Sequence, residues 1–263
     1  GQGVASFGFE GSAEQVIVDP YGDSLFQFKS SLPFTMYEKM VSNCPHLLGR
    51  VQAAAALVEN GSRAAFRCLE QAYRSEQHFG VRRLFVKYLM AGRKGRANAL
   101  LLRWLTFEKD PRVQVLIATA LRTERLDESA RNDIIRMLSD GTGGARYRAA
   151  LYECLGRQGV GDDLSLLESV VRNVGENELV RVGALNGIAA MGTIEAWGFI
   201  YEAYEAMGDA LYLSRARHGA LAEACRRLSS DVRERTLMRL EMGSRRVSGW
   251  EAVHLVSALK AMK

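Results

Sequence analysis

The chain has 263 residues, 48% of them apolar, and a net charge of +5. No apolar run approaches the roughly 20 residues that a membrane-spanning helix needs, and no signal-peptide pattern is present, so no membrane partner and a cytoplasmic setting are expected. Residues 1–48 hold two Lys against five Asp and Glu, about −3, which leaves about +8 on the remainder; a surplus spread this thinly does not call for a polyanionic partner.

Gly1-Gln2-Gly3 opens the chain without an initiator Met, which suggests a cloning remnant or an internal start. Residues 1–33 then read as a remnant β segment, either the end of a β-sandwich or a docked hairpin. Val16-Ile17-Val18 and Ser24-Leu25-Phe26-Gln27-Phe28 are short β-like runs around the turn Asp19-Pro20-Tyr21-Gly22-Asp23, and Val4 to Phe9 offers a further strand. Pro33 closes this stretch.

From Phe34 to residue 263 the apolar period changes to that of helices. One short pattern returns six times: Gly49-Arg50-(x)6-Leu57, Val81-Arg82-(x)6-Leu89, Val113-Gln114-(x)6-Leu121, Tyr147-Arg148-(x)6-Leu155, Val180-Arg181-(x)6-Ile188 and, more weakly, Ala216-Arg217-(x)6-Ala224. The intervals of 32, 32, 34, 33 and 36 residues predict a mainly α protein, a HEAT/armadillo-like α-α superhelix of about seven helix pairs over 34–263. A helices are expected near 34–42, 62–74, 95–107, 127–139, 163–173, 194–207 and 231–241. B helices are expected near 47–58, 79–91, 111–122, 144–157, 178–191, 211–228 and 249–262. Each B helix carries a buried stripe such as Val81, Leu84, Phe85, Tyr88 and Leu89. In the fifth unit Gly183, Ala184 and Gly187 fill those slots, which implies close approach of neighbouring backbones. Asp110-Pro111 offers an N-cap followed by Pro at the first helical position, Ser248-x-x-Glu251 is a capping box, and Asn60-Gly61, Gly92, Gly159, Gly192 and Gly208 punctuate helix ends.

Motifs for chemistry are scarce. His46, His78, His218 and His254 fall in separate repeats and none sits in H-E-x-x-H; Cys44, Cys68, Cys154 and Cys225 lie far apart, without C-x-x-C, so a reducing compartment fits best. There is no G-x-S-x-G elbow, and Asp140-Gly141-Thr142-Gly143-Gly144 lacks the G-K-[ST] ending of a phosphate loop. Asp162-Asp163 read as caps for the next helix. No catalytic, metal or cofactor site is therefore expected.

The candidate site residues are the recurring basic column Arg50, Arg82, Arg148, Arg181 and Arg217. These side chains either donate to the adjacent turns as a structural ladder, with Asp110, Glu176 and Asp209 placed to answer them, or face a groove and bind an anion. Recurrence with the repeat, rather than clustering, favours the ladder. Arg93-Lys94-Gly95-Arg96, Arg226-Arg227 and Arg245-Arg246 are further basic clusters, but Trp104, Trp197 and Trp250 do not accompany them as stacking platforms, which argues against nucleic acid.

The order of Val16-Ile17-Val18-Asp19-Pro20, Leu25-Phe26, Phe34-Thr35-Met36-Tyr37-Glu38-Lys39 and Arg50-Val51-Gln52-Ala53-Ala54-Ala55-Ala56-Leu57 resembles the C-terminal region of zinc metallopeptidases of the aminopeptidase N type, where a β-sandwich hands over to HEAT-like repeats. H-E-x-x-H and G-x-M-E-N are absent, so no catalytic residue carries over. The resemblance implies a non-catalytic lid or scaffold that restricts peptide access. Its partner would be an upstream catalytic domain of the same protein, and zinc would reside only there. The rival expectations are a free-standing HEAT-repeat adaptor for a protein partner and a helical-repeat DNA-binding protein or DNA glycosylase, with a helical-repeat chromophore lyase ranked behind them.

Overall fold

A computed structural model describes residues 13, 16–19, 21, 32–92, 96–122, 125–206, 211–227 and 260. Every regular element among them is a helix. The elements are α1 (Phe34–Asn43), α2 (Leu47–Asn60), α3 (Arg63–Ser75), α4 (Phe79–Gly92), α5 (Arg96–Phe107), α6 (Pro111–Leu121), α7 (Glu128–Ser139), α8 (Ala145–Arg157), α9 (Asp163–Arg172), α10 (Glu178–Met191), α11 (Ile194–Ala206) and α12 (Leu211–Arg227). These are six A/B hairpins, as in HEAT repeats; the expected seventh pair, near 231–241 and 249–262, lies outside the described residues. No described helix is long and apolar enough to cross a membrane.

The expected strand at Val16–Val18 is not formed. This stretch docks on α2 instead: the Gln52 side-chain amide donates to the Val18 carbonyl at 2.7 Å, and Tyr21 meets His46 edge-on at 5.4 Å. A carbonyl satisfied by a side chain needs no partner strand. The other expected strands, Val4–Phe9 and Ser24–Phe28, lie outside the described residues.

The chain divides into two compact units, Gly1–Phe107 and Glu108–Lys263. In the first, α2 packs on α4, while α3 packs on both α1 and α5. Its core centres on Trp104, fully buried and stacked on Tyr73 at 3.8 Å, with Phe85 and Phe107 at 6.4 and 6.0 Å from the Tyr73 ring. Offset and tilted ring pairs of this kind each stabilise by about 1 kcal/mol beyond area burial.

In the second unit the B helices follow one another directly, α6 on α8, α8 on α10, α10 on α12. The stripe that specifies them is buried as a row of Val113, Ile117 and Leu121 in α6, Leu151, Cys154 and Leu155 in α8, and Val180, Ala184 and Ile188 in α10. Helix ends follow local chemistry. Asp110 accepts from the Arg112 amide and puts Pro111 at the first helical position; Asp127 and Asn177 cap α7 and α10 through the Ala130 and Leu179 amides. Gly61 and Gly192 end α2 and α10 with φ of 64° and 74°, a left-handed conformation that costs other residues free energy.

Candidate interaction surfaces

Arg50, Arg82 and Gln114 stand in the first turns of their B helices, and each of these three side chains reaches back to its own A–B loop. Arg50 donates to the Cys44 carbonyl at 2.8 Å, Arg82 to the Glu76 carbonyl at 2.7 Å and Gln114 to the Glu108 carbonyl at 2.8 Å. In all three the acceptor lies six residues upstream. Arg181 instead reaches the Val171 carbonyl at 2.9 Å. Arg217 lies in α12, and its side chain is outside the described residues.

Two column members also bridge to the next repeat. Arg50 pairs with Glu76 at 2.6 Å and Arg148 grips Glu176 with two bonds of 2.7 and 3.0 Å. These glutamates serve the loops as well, since Glu76 accepts the His78 amide at 2.8 Å and Glu176 the Asn177 amide at 2.6 Å. Glu108 takes the Lys109 and Asp110 amides at 2.9 and 2.8 Å. Glu76 and Glu108 are buried, and sequence reasoning passed over both. Their spacing, six residues before Arg82 and Gln114, was the available signal. Asp110 turns to Arg112, at 2.7 Å, rather than to the column, and Asp209 is outside the described residues.

Removing a half-buried bidentate pair tests the ladder role. Arg148→Ala should lower unfolding free energy in urea by about 2 kcal/mol and Arg82→Ala by about 1 kcal/mol. A column serving only a ligand would leave both midpoints unchanged. The acids of this network also predict an acid response. The Arg148 hydrogen bonds hold the Glu176 carboxyl below its usual range, Arg103 does the same for Glu70, and Arg112 brings Asp110 down to about 2. A folded pKa below the unfolded one contributes stability above the unfolded value, and that contribution disappears as pH falls through the folded value. The urea midpoint should therefore fall on acidification from about pH 5 to about pH 3, and fall less in Glu176→Gln. A midpoint flat to that pH would contradict the assignment.

Two clefts are formed by described residues alone. In the second unit a groove of about 450 Å³ lies between the first turns of α6 and α8, walled by Pro111, Arg112, Val115, Gly144, Arg146 and Tyr147. Gly143, with φ of 92°, lets the α7–α8 loop pass close over the Tyr147 ring. The loop Asp140–Gly144 thus shapes a groove wall. Arg146 is exposed and has no acceptor among the described residues. In the first unit a cleft of about 300 Å³ lies between α3 and α5.

The thiols are poorly disposed to react. Burial pushes Cys154 up to about 12, and burial together with the Glu38 carboxylate pushes Cys68 up to about 11. Cys44 is buried, and Cys225 has no described side chain. Of the histidines, His46 precedes α2 and His78 stacks on Phe79 at 5.5 Å, apart from any group of three His, Cys, Asp or Glu able to hold a metal among the described residues. Arg227 donates to the Ala190 carbonyl and Glu223, both at 2.9 Å, so part of the Arg226-Arg227 cluster is already engaged.

No protein-family model matches the chain, and no curated protein is significantly similar to it. A solved structure that aligns with it is the complex of CpcE and CpcF of phycocyanin lyase from Nostoc sp. PCC7120, at 17% identity and a TM-score of 0.49, covering 92% of this chain and 98% of that one. At this level the likeness carries no statement about activity or partner. The expected membership of the aminopeptidase N family is corrected: neither a family model nor a curated peptidase matches the chain, and the junction that suggested it has no strand at Val16–Val18. The lid-and-scaffold role beside a zinc peptidase domain falls with it.

Proposed function

We propose that this chain is a HEAT-repeat adaptor that binds a protein partner through the groove between α6 and α8. The observation that carries this reading is the groove itself, an apolar wall of Pro111, Val115 and Tyr147 beside Arg146, a guanidinium without an acceptor among the described residues. Interfaces draw most of their affinity from a few apolar and Arg anchors in such concave sites. An extended segment with an aliphatic residue next to Asp or Glu matches both features. Arg112 sits across the groove but already holds Asp110, so Arg146 is the cation placed to choose the partner.

A random-peptide display selection on the full chain tests this. Enriched peptides should carry Asp or Glu beside Leu, Ile or Val, and the double variant Val115→Asp, Arg146→Glu should bind them at least about 100-fold more weakly, two losses of about 1.4 kcal/mol. Enriched peptides that bind the variant as well as the parent chain, or no enrichment at all, would sink the reading.

A further inference from the structure

The cleft between α3 and α5 has a different chemistry. Arg63 and Arg67 stand one helical turn apart on α3, both exposed, and neither donates to an acceptor among the described residues. Like charges at this spacing destabilise an isolated helix by a few tenths of a kcal/mol, so their pairing here has no local structural reward. Arg103 approaches from α5, and Glu70 engages it with bonds of 3.1 and 3.0 Å while also taking Arg74 at 3.3 Å. Glu70 is thus committed to its own two cations. Phe66 and Ala99 form the apolar floor.

From this arrangement we propose that the α3–α5 cleft is a binding site for a phosphate monoester with an aryl or alkyl body. Two uncompensated guanidinia match a group carrying about −2 at neutral pH with three acceptor oxygens. Arg suits it better than Lys would, because its planar fork donates to two oxygens at once. The start of α3, where Ser62 caps through the Ala65 amide and no acid occupies the first turn, adds a favourable but lesser dipole contribution. The organic body lies on Phe66 and Ala99, and a volume of about 300 Å³ admits a ring-sized group. A nucleic-acid backbone fits less well. It presents a row of single charges, and Glu70 interrupts the cations along α3.

Calorimetric titration of the full chain with phenyl phosphate, inorganic phosphate, benzoate and a phosphotyrosine peptide tests the site. Phenyl phosphate should bind most tightly of the three small probes and weaken below about pH 6, as the monoester loses its second charge. The exposed double variant Arg63→Gln, Arg67→Gln should keep its helical circular dichroism and lose at least about tenfold in affinity, with Arg63→Lys, Arg67→Lys between the two. A phosphotyrosine peptide binding about tenfold tighter than phenyl phosphate would place the monoester on a protein, and equal affinities would place it on a small molecule. No binding up to about 10 mM, an unchanged affinity in the glutamine variant, or benzoate binding as tightly as phenyl phosphate would overturn the proposal. So would DNA duplex binding that the same variant abolishes at lower ligand concentration.

Discussion

Gly183→Ala should destabilise the second unit by about 2 kcal/mol, although alanine is the better helix former by about 1 kcal/mol. A methyl group on Gly183 would stand 2.4 Å from the Ala149 carbonyl oxygen and 2.5 Å from its Cα, and one on Gly187 would stand 2.6 Å from the Tyr152 oxygen. On the α8 side, Gly156 faces Gly187 so closely that its methyl group would lie 2.2 Å from the Gly187 carbonyl. All these obstacles are backbone, so no side-chain rotation relieves them. Either α8 and α10 separate, uncovering Leu155, Ala184 and Ile188, or the clash persists. Gly198 in α11 supplies the control, because nothing lies within 4 Å of a methyl group there. Gly198→Ala should stabilise by about 0.5–1 kcal/mol. Urea unfolding of both variants reads out the contrast, and a Gly183→Ala midpoint at or above that of the parent chain would show that α8 and α10 are not in backbone contact.

That contact was legible in the residues, and the reason is physical. Gly183 and Gly187 occupy stripe positions that larger residues fill in the other B helices, so the repeat itself exposes the exception. Helix placement was legible for the same reason: α10 spans Glu178–Met191, matching 178–191 from the apolar stripe and its caps. The β-like run Val16–Val18 misled because three residues of strand propensity say nothing about whether a partner strand is near. Gln52, supplied by a helix 34 residues away, took the Val18 carbonyl. The grooves were not legible at all. Pro111 and Tyr147 meet only through the packing of α6 on α8, and Arg63 and Arg103 only through that of α3 on α5. The loop glutamates are half legible, since Glu176 falls in a turn opposite the column whereas Glu76 and Glu108 belong to no recognisable motif.

Asp163 is where reading a local motif missed a long-range bond, and its removal should have the largest effect of any ion-pair change among the described residues. Sequence placed it as a helix cap beside Asp162. The folded chain buries it at 2% exposure and sets it against Arg131 of α7, 32 residues earlier, through two hydrogen bonds, that from Nε measuring 2.8 Å. Asp163 also opens α9, where its charge faces the positive end of the helix. The pair holds the Arg131 guanidinium above its usual range, the mark of a cation stabilised by its partner. Asp163→Ala should cost about 3 kcal/mol, the low end for a broken buried pair, because Arg131, with a side chain 17% exposed, can partly turn to water. Asp163→Asn, which keeps the volume and one acceptor, should cost about 2 kcal/mol. A double-mutant cycle with Arg131→Ala isolates the pair, and a coupling of about 2 kcal/mol is expected. Coupling below about 0.5 kcal/mol would mean that α7 and α9 are registered by apolar packing alone, and that the bidentate geometry contributes no more than a solvent-exposed bridge.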